Sequence, residues 1–144
     1  MTINEIQDEI IDEFSFFDDW MDKYEYLISL GKELQLIDDQ YKDEQHLIKG
    51  CQSRVWLHAG SKESNVVFTA DSDAIITKGI IALLVRVLSD QPSTDVAHSD
   101  LYFVDKIGLH EHLSPTRSNG LRSMVKQMKL YGLAMTAQNE QHNG

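Results

Sequence analysis

The sequence predicts an α+β fold in one compact domain, with helices at both ends of the chain and strands between them. Three observations predict it. Apolar residues recur at helical spacing through the first forty residues. Two short β-rich runs then stand side by side in the middle, and helical patterning resumes from residue 74 onwards. A chain of 144 residues matches one domain and is long enough to bury a core.

The first helix is expected over residues 1–15, with Ile3, Ile6, Ile10, Phe14 and Phe17 forming an apolar stripe between acidic residues. Thr2 followed by Glu5 has the form of a capping box. A second amphipathic segment runs from about Asp18 to Leu34, burying Trp20, Tyr24, Leu27, Ile28 and Leu34. Asp18 and Asp19 suit the positive end of its dipole, and Gly31 is expected to weaken its last turns. An acidic connection, Asp38 to Glu44, follows. Val55 to Ala59 and Asn65 to Ala70 then read as an antiparallel hairpin around Gly60–Ser64, a loop somewhat long for a tight primed turn.

Asp71-Ser72-Asp73 is expected to cap a helix from Ala74 to Leu88 that is apolar on nearly every side, and therefore mostly buried. Gln91-Pro92-Ser93-Thr94 ends it and starts a short helix. Ser114 and Pro115 open the last helix, with Leu121, Met124, Val125, Met128, Leu130 and Tyr131 as its apolar stripe. Residues 138–144 are polar and expected to fray.

A net charge of −10 and 23 acidic against 13 basic residues oppose binding to nucleic acid or to an anionic membrane surface. No apolar run approaches the ~20 residues that span a bilayer, and the N-terminal residues lack the pattern of a signal peptide. With a single cysteine in the chain, the expected compartment is a reducing cytoplasm.

That cysteine is the most informative residue. Cys51 follows Gly50, precedes a polar Gln52-Ser53 pair, and stands just before Val55, Leu57 and Ala59 begin to alternate with Arg54, Trp56 and His58. The pattern presents a thiol on a turn at the start of a strand. A lone cysteine is commonly a small buried hydrophobe; it can equally be a nucleophile or the acceptor of a transferred group, and it cannot be half of an internal disulfide.

Three blocks, in this order and spacing, resemble the SufE family of sulfur acceptors. They are Gly50-Cys51-Gln52-Ser53-Arg54-Val55-Trp56, then Asp71-Ser72-Asp73-Ala74 through Lys78-Gly79-Ile80-Ile81-Ala82, then Leu113-Ser114-Pro115-Thr116-Arg117-Ser118-Asn119-Gly120-Leu121. The resemblance spans about Trp20 to Tyr131. It implies an antiparallel sheet packed with helices, similar to the IscU scaffold. It implies that Cys51 receives persulfide sulfur from a pyridoxal-phosphate cysteine desulfurase of the SufS type, stimulates that enzyme, and passes sulfur to an iron–sulfur scaffold of the SufBCD kind. The related CsdE proteins serve a paralogous desulfurase and fit equally well. On this reading the chain is an accessory protein with no cofactor or metal of its own. The resemblance also sets Asp73, Arg117, Gly50 and Gln52 around the acceptor loop, as residues that gate it or meet the partner.

Each lesser candidate has a plainer reading. Asp73 suits a helix cap, and Arg117, in a first helical turn, suggests a carboxylate nearby, either structural or a partner's. His110 and His112 flank Glu111 but lack a third ligand at metal spacing. A Cys-His thiol hydrolase would need one of the histidines and an orienting acid beside Cys51. An iron–sulfur scaffold would need several cysteines where this chain has one.

Overall fold

A computed structural model describes residues 1–143. Helices α1 (Ile3–Ser15) and α2 (Trp20–Lys32) lead through two 3-10 turns, Asp39–Tyr41 and Glu44–His46, into strands β1 (Val55–Lys62) and β2 (Asn65–Ser72). Helix α3 (Ile75–Leu88) and the short strand β3 (Gln91–Pro92) follow. Three short helices, α4 (Ser93–His98), α5 (Phe103–Lys106) and α6 (Leu109–His112), precede the long α7 (Pro115–Asn143). The three strands form an antiparallel sheet in the order β1-β2-β3.

Alternation decides which sheet face is covered. Val55 and Leu57 from β1, with Val66, Phe68 and Ala70 from β2, are buried on one side against α3 and α7. Helix α3 buries every residue from Gly79 to Val85, as its all-round apolarity predicts. The expected capping box of α1 is present, Thr2 and Glu5 bonding each other's backbone N–H groups. Gln7 is fully buried on α1: its amide donates to Asn4 and to the Asp100 carbonyl, and accepts from the Phe103 N–H. With all its groups satisfied, this buried amide fastens α1 to α5.

Several expectations are corrected. The hairpin strands run to Lys62 and from Asn65, leaving a two-residue turn where Glu63 takes φ +58°. Gly31 does not loosen α2; it is buried where α2 crosses α3, its missing side chain facing the backbone of Gly79. Asp73 is not the N-cap of α3: Ala74 occupies that position, with a methyl side chain that cannot cap, and the Asp73 carboxylate instead accepts from the Arg54 N–H. Leu130, placed on the buried stripe of α7, is 46% exposed. The frayed end expected over 138–144 is helical through Asn143, and Gly144 lies outside the described residues.

Candidate functional site

The loop from Ile48 to Arg54 is held at both ends by backbone bonds to neighbouring structure. Upstream, the Ile48 N–H donates to the Val55 carbonyl at 2.9 Å, closing the loop on itself. Gly50 then takes φ +92°, and a Cβ there would collide with the Ser123 hydroxyl of α7. Glycine is required twice over, for the left-handed backbone and for the close approach. Downstream, the Arg54 N–H donates to the Asp73 carboxylate at 3.0 Å, and the Arg54 carbonyl accepts from the Asp73 N–H (3.2 Å) and the Ser72 hydroxyl (2.8 Å). The Asp71–Asp73 segment, expected as a helix cap, therefore clamps the far end of the cysteine loop to the start of α3.

Between these anchors Cys51 is half-buried beneath the first turns of α7. Its thiol donates to the Gly120 carbonyl at 3.5 Å, and a Cβ on Gly120 would stand 3.5 Å from the sulfur. Burial pushes the Cys51 thiol above its ordinary pKa.

A pocket of about 370 Å³ opens beside the sulfur, with Ile80 and Met124 as apolar lining and Gln52, Ser114, Thr116 and Arg117 as polar lining. Ser114 accepts from the Arg117 N–H at 3.2 Å, so it caps α7 as its place before Pro115 suggests. Among the described residues no acid lies within salt-bridge distance of Arg117, so the structural carboxylate expected there is not found, and exposed Arg117 lines the pocket.

The structure thus brings Cys51, Gln52 and Arg117 to one pocket, with Gly50 and Asp73 anchoring the loop that carries the cysteine. No histidine among the described residues lines this pocket, and four of them are engaged elsewhere. His46 contacts Asp43 at 2.6 Å, and His58 stacks on Tyr41 with ring centres 3.8 Å apart. His110 lies 3.7 Å from Asp105, and the His112 ring stacks on Trp20 at 4.0 Å. Gly120, Ser123 and Ser72 were not singled out in the sequence as site residues. Gly120 and Ser72 lie inside the three blocks quoted above, but their roles depend on which chain segments meet in space.

The first turns of α7 over a solitary, loop-borne thiol, with α3 behind it, define a class as well as a site. The family model described as SufE, the Fe–S metabolism associated domain, matches residues 8–132. An uncharacterized SufE-like protein of Rhizobium etli is 42% identical over 127 residues, covering 85% of this chain and 86% of that one. A second, from Rhizobium meliloti, is 39% identical over 127 residues. A SufE-like protein 1 of Arabidopsis thaliana, named as chloroplastic/mitochondrial, is 39% identical over 134 residues, which are 92% of this chain but 36% of that longer protein. The solution structure of a hypothetical protein from Thermus thermophilus superposes with a TM-score of 0.76 over 92% of this chain at 16% identity, a likeness of fold alone.

The chain belongs to the SufE family. It is an accessory protein of iron–sulfur metabolism. Among the described residues no helix is long and apolar enough to cross a membrane.

Proposed function

We propose that Cys51 accepts sulfur from a cysteine desulfurase and carries it as a persulfide. The Cys51 thiolate attacks the outer sulfur of the partner's cysteine persulfide. A new S–S bond forms on Cys51, the partner's S–S bond breaks, and its cysteine leaves as thiolate. No electrons are gained or lost overall, as in thiol–disulfide exchange. The observation that carries this reading is the half-buried Cys51 thiol on a loop anchored at both ends and open to a pocket. A persulfide held there is sheltered from oxidants, and with one cysteine in the chain no resolving thiol can expel the sulfur as sulfide.

The partner in this reading is a SufS-type desulfurase, whose pyridoxal phosphate performs the carbon–sulfur cleavage, and the sulfur continues to a SufBCD-like scaffold. A paralogous desulfurase of the kind served by CsdE proteins would use the same thiol. The compartment must be reducing, such as the cytoplasm, for the free thiol to persist. A Cys-His hydrolase is disfavoured because no histidine among the described residues bonds the thiol or lines its pocket. Asp73 and Gly50 are proposed to hold the loop closed in the free protein, while Arg117 and Gln52 meet the partner. The test is turnover: adding the protein to its host's desulfurase and cysteine should raise sulfide release in the presence of reductant. Cys51→Ser should remove most of that rise, and the chain alone should release none. Equal stimulation by wild type and Cys51→Ser would overturn the acceptor role.

A further inference from the structure

We propose that α7, facing α4 and α5, forms a docking groove for an amphipathic helix with acidic flanks supplied by a protein partner. The proposal stands apart from the chemistry of Cys51 and is tested by binding alone.

The groove encloses about 500 Å³. Its lining includes the buried Val104, the half-buried Leu101 and Val125, and the exposed Leu130 and Leu133, each 46% accessible. Leu130 and Leu133 stand three apart on α7, so their exposed faces adjoin and make one apolar patch. The same groove is lined by Arg122, Lys126 and Lys129, which fall at steps of four and three and so share one helical face. Among the described residues none of the three has a carboxylate within salt-bridge distance. The groove's single acidic lining residue is Asp105, which is turned towards His110.

Charge decides the occupant. The chain carries 23 acidic residues in 144, yet from Pro115 to Ala137 there is no acid and four cations: Arg117, Arg122, Lys126 and Lys129. A basic stripe beside an apolar floor, on a molecule of net charge −10, favours a ligand that is locally acidic and apolar on one face. A second copy of this chain is a poor candidate, because its acidic amphipathic helix α1 already buries Ile3, Ile10 and Phe14 in its own core. An anionic lipid surface extends past the groove and would face the acidic remainder of the protein, whereas a single helix meets the basic stripe alone.

The location adds a purpose. Lys126 and Leu130 also line a second groove with residues 45–49, the stretch that runs into Gly50 and Cys51. A helix bound along α7 is therefore held beside the cysteine loop.

The probe is a fluorescent helical peptide of about five turns with a leucine face and glutamate flanks, compared with the same leucine face flanked by lysine. Anisotropy should show saturable binding of the acidic peptide, weakened by salt, with the basic peptide at least about tenfold weaker. Lys126→Glu with Lys129→Glu, and separately Leu133→Gln, should each weaken the acidic peptide about tenfold while leaving circular dichroism and the unfolding midpoint unchanged. Equal binding of the two peptides, no saturation by about 1 mM, or variants without effect would overturn the proposal. So would a concentration-dependent dimer abolished by Leu133→Gln, which assigns the groove to a second copy. Preferential co-sedimentation with phosphatidylserine vesicles would assign it to lipid.

Discussion

At Cys51 two demands oppose each other. A thiol must ionise to act as a nucleophile, whereas half-burial under α7 disfavours the thiolate and raises the pKa. The free protein should therefore alkylate slowly at neutral pH, with a rate that rises through a midpoint above the ~8.5 of an unperturbed cysteine. A profile centred below that value would contradict the burial argument. Asp73 holds the downstream end of the loop through the Arg54 N–H, so Asp73→Ala should speed alkylation several-fold without unfolding the protein. An unchanged rate would show that the clamp does not govern access. The cysteine, the glycine before it and the polar pair after it were legible as a turn. What shields the sulfur was not, because the Gly120 carbonyl lies 69 residues away and reaches Cys51 only when α7 folds across the loop.

The elements lock together where side chains are missing as much as where they are present. Gly79 on α3 lies so close to α2 that a Cβ would press into the Leu27 backbone and side chain. Neither helix can retreat without uncovering core, so Gly79→Ala should cost about 1–3 kcal/mol, read as a lower denaturation midpoint at unchanged m-value. A gain in stability, as helix propensity alone suggests, would show that the crossing is slack.

Helix α1 is tied to α3 differently, by Arg86 to Glu13 and to Glu9. Hydrogen bonding to Arg86 holds the Glu13 carboxyl below its usual range. Its contribution is present above the unfolded carboxylate pKa and is lost as pH falls through the depressed folded one. Arg86→Met should therefore narrow the stability gap between pH 7 and acid, most of its cost appearing near neutrality. A cost independent of pH would assign the role of Arg86 to packing of its stem.

Helix periodicity was readable because most stripe residues face the core, Leu130 being the exception on α7. Strand ends were not, since Gly60 and Lys62 are poor β-formers that pair only because Val67 and Asn65 stand opposite. The two-residue β3 carries no pattern at all, and pairing with β2 alone defines it.

At the scale of the molecule, the helix–hairpin–helix order foretold the α+β class, while the blocks around Cys51, Asp73 and Arg117 foretold the family. The family match over residues 8–132 extends through the core helices and most of α7. The proposed function turns on one sulfur atom, that of Cys51. Incubation with an active cysteine desulfurase and cysteine, followed by intact mass measurement without reductant, tests it most directly. The expected result is one added sulfur on the wild-type protein, removed by reductant, and none on a folded Cys51→Ser variant. An unmodified wild-type chain beside a desulfurase that is turning over would contradict the account.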